Sequence, residues 1–208
     1  MDLDRAVRTR RMARRFASEP PVALSVIGEL VDLASRAPSA GFTQGWDFLA
    51  LLSSEDRDRF WNAARPAEAD SPWLDGVRAA PALLLCLSHP QAYLDRYAEP
   101  DKGWTDRAVD RWPIPYWDTD TAMAAMIVLL GATDRGLGAL FFGIATPQHD
   151  AVRAALGIPA GRRIVGVIAL GTEEQRVRSP SLRRGRRDVD AILHVGRFGA
   201  SGEDAPSP

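Results

Sequence analysis

Arginine is the side chain through which this sequence could do chemistry. Arg5, Arg8, Arg10, Arg11, Arg14 and Arg15 crowd the start of the chain, and Arg176, Arg178, Arg183, Arg184, Arg186 and Arg187 crowd a stretch near its end, with no acidic residue from Gln175 to Arg187. Of the 26 cationic residues only Lys102 is lysine. Such dominance reflects genome composition as readily as function, so position says more than number. A guanidinium donates two parallel hydrogen bonds and therefore suits a phosphate. Two basic clusters from opposite ends of the chain could converge on one anion. Two solvated, mutually repelling surface runs would look the same, and the arginines alone do not separate these readings.

Other chemistries fail on inspection. No GxxxxGK[ST] phosphate loop is present. Gly136-Leu137-Gly138 leads to Phe141 where the dinucleotide fingerprint needs glycine, and it precedes a predicted strand instead of a helix. Ser39 sits in Ala37-Pro38-Ser39-Ala40-Gly41, which lacks the first glycine of a nucleophile elbow. His89, His149 and His194 are scattered without metal-ligand spacing. Cys86 lies inside an apolar run and reads as a buried, inert thiol. What remains is the arginines, a loop of small residues at 38–41, and an aromatic stretch.

The elements that would position these groups follow from periodicity. Asp2 or Asp4 can cap a short helix to about Thr9. Val22, Val26, Ile27, Leu30, Val31 and Ala34 form one apolar stripe on a helix of about 14 residues, which Pro38 stops. Residues 46–52 and 82–87 read as strands, the second as a central one because it is apolar without alternation. Ser54 starts a helix with Phe60, Trp61 and Ala64 inward. Residues 89–117 hold three tryptophans, three tyrosines and four prolines; so long and irregular a stretch reads as functional or partner-binding. Asp118 or Thr119 caps a helix through Arg135, closed by Gly136. That helix is apolar almost all round, at Met123, Met126, Ile127, Val128, Leu129 and Leu130, and must be covered by the core or by a second subunit. Strands over 139–144 and 164–170 flank a helix over 147–156. The mixed order gives an α+β chain, one domain over residues 1–198, with a disordered tail over 199–208.

Composition narrows the rest. With 208 residues, 46% hydrophobic and 25% charged, the chain is long enough to bury most of its apolar surface. A formal net charge of -1 argues against nucleic acid. The arginine-rich start lacks the apolar core of a signal peptide. The longest apolar run, residues 122–132, falls short of the roughly 20 needed to span a bilayer. With a single cysteine, no internal disulfide can form and a reducing cytosol is compatible. We expect a cytoplasmic protein without membrane or nucleic-acid partners and without a metal.

The run Arg10-Arg11-Met12-Ala13-Arg14-Arg15-Phe16, followed after one helix by Ala37-Pro38-Ser39-Ala40-Gly41-Phe42-Thr43-Gln44-Gly45-Trp46-Asp47-Phe48, resembles the opening of the FMN-dependent nitroreductase family, whose pattern is RRSxRxF, a helix, then APSxxNxQPW and an apolar strand. Gly136-Leu137-Gly138, Leu156-Gly157-Ile158-Pro159 and Arg184-Gly185-Arg186-Arg187 resemble its second half. The resemblance spans about residues 5–198. It implies a nitroreductase-like fold, a central, mostly antiparallel sheet flanked by helices, and an intertwined homodimer with FMN at the interface. Arg10, Arg11 and Arg14 match residues that hold the FMN phosphate and ribityl chain, with Met12 in the place of the usual serine. Arg184 and Arg186 match a basic pair that returns to the same phosphate. Pro38, Ser39, Ala40 and Gly41 match a loop laid against the flavin by the partner subunit, and Gln44 adds an amide. Phe142, Gly143 and Ile144 match the backbone near the ring's N5 edge. Phe42 and Gly45 depart from the family's asparagine and proline, and Phe142 stands near where some members carry glutamate.

The resemblance implies that NAD(P)H reduces the flavin at N5 and that a nitroaromatic, quinone or other flat acceptor then takes the electrons in the same pocket, which gives ping-pong kinetics. No catalytic side chain is needed beyond those that hold the cofactor. Trp104, Trp112, Tyr116 and Trp117 are the candidate walls of the substrate pocket, against simple packing. Other tasks stay open: deazaflavin use, flavin breakdown, desaturation of a natural product, or flavin storage and sensing without turnover.

Overall fold

The computed structural model describes residues 2–64 and 72–199. Two compact units divide the chain, Met1–Arg176 and Val177–Pro208. In chain order the first carries α1 (Leu3–Thr9), α2 (Leu24–Ala34), β1 (Trp46–Leu51), α3 (Ser54–Ala64), α4 (Pro72–Arg78), β2 (Ala82–Ser88), α5 (Pro90–Ala98), α6 (Tyr116–Asp134), β3 (Gly138–Phe142), α7 (His149–Leu156) and β4 (Arg163–Gly171). The second contains 3-10 turns at Pro180–Arg184 and Val189–Ala191. Of the tail expected over 199–208, all but Gly199 lies outside the described residues.

The four strands form one antiparallel sheet in the order β1-β2-β4-β3. Alternation along β2 explains its continuous apolar run. Leu83, Leu85 and Leu87 enter a core shared with Phe60, Trp61 and Val152 from α3 and α7. Ala82, Leu84 and Cys86 enter the opposite core with Leu30 of α2 and Ala124 and Val128 of α6. A strand buried on both faces has no polar side to show. Burial also pushes the Cys86 thiol up to about 12, which makes it unreactive as a nucleophile.

The structure corrects three local expectations. Helix α6 begins at Tyr116, with Pro115 at its N-cap, so Asp118 lies in the first turn instead of capping it, and its carboxylate accepts from Ser88 Oγ at 2.6 Å and pairs with Arg163 at 3.0 Å. The irregular 89–117 stretch contains a true helix, α5, started by Pro90 in its first turn. Helix α7 starts at His149 after a 3-10 turn at Thr146–Gln148 and closes on Gly157. Within this one chain α6 is not covered all round: Met123 and Met126 are 41% and 38% exposed.

Candidate functional site

Beyond α1, residues 10–16 run along the sheet. Ala13 N–H donates to the carbonyl of Ala139 on β3 at 2.9 Å, and Met12 pairs with Ala139 in parallel register. Farther on, Phe16 pairs with Glu173, Ala17 N–H donates to Thr172 at 2.9 Å, and Glu174 N–H donates to Arg15 at 3.1 Å. Buried Ala13 and Phe16 anchor the segment in the core. Its register on the edge strand is therefore set by backbone bonds and two apolar plugs.

The arginines on this segment have different fates. Arg11 donates through Nε to Glu173 Oε2 at 2.7 Å, and that carboxylate raises its already high pKa. Arg15 reaches Gln175. Arg14 is half-buried and donates from Nη1 to the Met12 carbonyl at 3.0 Å. Arg10 is also half-buried, and its Nη1 is buried without a hydrogen-bond partner. A buried donor left unpaired costs about 1–3 kcal/mol, more when charged. An anion removes that cost, so Arg10 fits the phosphate-bearing group that the resemblance implies. Met12 does more than replace a hydroxyl: its Sδ receives the Phe141 N–H of the edge strand at 3.4 Å, and its side chain packs against both cores.

The loop after α2 is held in an uncommon backbone. Gly41, Phe42 and Gln44 have φ of +63°, +54° and +52°. A Cβ on Gly41 would meet Tyr97 Cε2 at 2.8 Å, and one on Gly45 would meet Tyr93 Cε2 at 2.4 Å, which accounts for glycine where the family has proline. Asp120 Oδ2, on α6, accepts from Ala40 N–H and from the Tyr93 hydroxyl, both at 2.8 Å. Burial, and then the Asp120 carboxylate, raise the pKa of Tyr93 well above the usual phenol value. Arg96 Nε donates to Gly41 O at 2.9 Å, and Ser39 Oγ accepts from Gln44 N–H at 2.9 Å. Pro38, Gln44 and Phe42 are exposed, and Ser39, Ala40 and Gly41 half-buried.

At the end of β3 the Phe142 ring stacks on Trp61, with centroids 5.7 Å apart and planes within 5°, and meets Trp73 edge-on at 6.2 Å. Gly143 is exposed, and the Ile144 carbonyl is 3.1 Å from His149 Nε2. Trp61 and Trp73 are site-flanking aromatics that sequence reasoning did not select, although Trp61 was expected to face inward.

The proposed pocket aromatics pack chiefly on one another. Trp112 lies 5.5 Å from Trp104, 5.8 Å from Tyr116, 5.8 Å from Trp117 and 4.6 Å from Tyr97. Trp112 and Trp117 are buried, Trp104 and Tyr116 half-buried. The cluster is a satellite core that backs the Tyr93–Asp120 contact. Arg184 ends a 3-10 turn in the C-terminal unit, with Arg186 two residues on, and both are exposed. Among the described residues, no group of three or more His, Cys, Asp or Glu side chains could hold a metal, and no helix is long and apolar enough to cross a membrane.

A helix-covered antiparallel sheet with a cationic segment along one edge strand defines a class of α+β proteins. Residues 7–172 match the model of the nitroreductase family, and the chain belongs to that family. A protein of Archaeoglobus fulgidus assigned as an NADH dehydrogenase/NAD(P)H nitroreductase is 26% identical over 166 residues, 78% of this chain and 80% of that protein. One of Methanothermobacter thermautotrophicus with the same assignment is 26% identical over 175 residues, 82% and 77% of the two chains. Among solved structures, nitroreductase CinD of Lactococcus lactis in complex with chloramphenicol shares the fold with a TM-score of 0.75 at 16% identity, covering 94% of this chain and 100% of that one.

Proposed function

We propose that the protein is an FMN-dependent oxidoreductase that takes electrons from NAD(P)H and delivers them to a nitroaromatic, quinone or other flat acceptor, as a cytoplasmic homodimer. The observation that carries this reading is the buried, unpartnered Nη1 of half-buried Arg10, on the edge-strand segment of a nitroreductase-family chain. The family membership supports an oxidoreductase; the cation supports a phosphate-bearing cofactor.

In this reading Arg10 and Arg14 bind the cofactor's anionic end. The loop at 38–41 and Gln44 come from the second copy, while Gly143 and Ile144 offer backbone at the ring edge. Phe142, stacked on Trp61, fixes where that backbone lies. When bound, FMN supplies the electron relay between the nicotinamide and the acceptor. The chain's own part is to bind, orient and exclude water; donor and acceptor use one pocket in turn, which gives ping-pong kinetics. Purified protein that takes up FMN and loses its flavin absorbance on addition of NADH or NADPH supports the proposal. Protein that retains no flavin after incubation and desalting overturns it.

A further inference from the structure

The loop at 39–44 is expensive to hold. Phe42 and Gln44 sit in left-handed backbone that non-glycine residues seldom adopt, and such conformations persist only where the surroundings over-determine them. Here the surroundings do. Asp120, 2% exposed, receives Ala40 N–H and the hydroxyl of fully buried Tyr93 on one oxygen, and Arg96 holds the Gly41 carbonyl. The loop so restrained presents Phe42, a large aromatic, 76% exposed. A plain connection between a helix and a strand needs neither a buried carboxylate nor a solvent-facing ring on strained backbone.

We propose that Asp120 is a positioning residue: through Ala40 and Tyr93 it fixes the loop that faces the flavin, and thereby places Phe42 where it selects among acceptors. This rests on the reading of residues 38–41 as a flavin-facing loop. Asp120 itself touches neither cofactor nor substrate in this account. It acts by removing the loop's alternatives before binding, so that no ordering cost is left to the cofactor.

The test uses full-length wild type, Asp120→Ala, Asp120→Asn, Tyr93→Phe and Phe42→Ala. Hydrogen exchange on flavin-free protein reads the amides of residues 40–44, and fluorescence titration reads FMN affinity. Asp120→Ala should speed loop exchange while the β2 and β4 amides stay protected, and should weaken FMN roughly tenfold, the scale of one lost buried hydrogen-bond partner. Asp120→Asn, whose amide oxygen can still accept from Ala40 and Tyr93, should restore most of the affinity. Tyr93→Phe should give an intermediate loss, and it decides the matter should Asp120→Ala not fold. Phe42→Ala should change the ratio of kcat/KM for menadione to that for a small nitroaromatic by about tenfold, as expected for altered pocket contact. Unchanged loop exchange in Asp120→Ala and Tyr93→Phe overturns the clamp. Faster loop exchange with FMN affinity unchanged, while Arg14→Ala still loses FMN, overturns the proposal but leaves the functional reading intact. Wild type that takes up no FMN overturns both.

Discussion

Arg11 reaches Glu173, 162 positions later in the chain, through a 2.7 Å bond from Nε. This one pairing divides the N-terminal arginines. Arg11 is spent on tying the segment to the end of β4, whereas Arg10, one residue earlier, is left with a buried, unpartnered nitrogen. The family resemblance groups Arg10, Arg11 and Arg14 as cofactor ligands; the geometry favours Arg10 and Arg14.

Arg10→Ala or Arg14→Ala should therefore weaken FMN binding by roughly tenfold to a hundredfold, about 1.4–2.7 kcal/mol. Arg11→Ala should leave FMN affinity within about threefold but lower stability by about 1–3 kcal/mol, since it strands the Glu173 carboxylate, whose side chain is only 9% exposed. Arg5→Ala serves as the control and should do little. Arg10→Ala should also leave the flavin-free protein at least as stable as wild type, because it removes an unpaired buried donor. Fluorescence titration and thermal melts of the flavin-free forms check all four.

Gly41→Leu should hold FMN poorly and lose at least about tenfold in NAD(P)H-driven reduction, roughly 1.4 kcal/mol of transition-state stabilisation. The cause is doubled: a side chain at φ +63° is strained, and its Cβ would meet Tyr97 at 2.8 Å. The fold should survive, because both sheet cores lie elsewhere. Circular dichroism alongside steady-state rates separates the two effects.

The half-open face of α6 predicts association. Met123 and Met126 stand exposed beside Ala122 on a helix whose other side packs against the sheet and α2, and a stable subunit interface is large and apolar. Light scattering at micromolar protein should give about twice 22.7 kDa, and Met123→Glu with Met126→Glu should lower that mass. A monomeric mass for flavin-loaded wild type would contradict the homodimer.

Cys86 should resist iodoacetamide at pH 8 until the protein unfolds. Its thiol is raised from 9.0 to about 12 by burial. A group raised in the folded state favours folding below its unfolded pKa, and that contribution fades as pH climbs from about 9 towards 12. Tyr93, raised by burial and by Asp120, adds to the same alkaline loss above about pH 10. Denaturant midpoints should accordingly fall above pH 9, and less steeply in Cys86→Ala.

How much of this was legible in sequence depends on the range of the interaction. The apolar run at 82–87 announced a strand buried on both faces, and the Arg10–Phe16 and Ala37–Phe48 motifs announced the family. Helix α5 was hidden by the Tyr- and Pro-rich composition of its surroundings. Asp120 falls inside the helix predicted from Asp118 or Thr119; nothing local says that its carboxylate is met by Ala40, eighty positions away. Met12 read as a lost hydroxyl, because only the folded chain brings its sulfur to the Phe141 amide. The bond from Arg11 to Glu173 is equally silent in sequence, because the two residues lie at opposite ends of the family segment.

The most direct test of the central claim is anaerobic stopped-flow on the FMN-loaded protein. Flavin absorbance should fall on mixing with NADH or NADPH and return on mixing the reduced protein with a nitroaromatic or quinone, and steady-state rates should give parallel double-reciprocal lines for donor and acceptor. A bound flavin that neither nicotinamide bleaches, or lines that intersect, would contradict an NAD(P)H oxidoreductase working through one shared pocket.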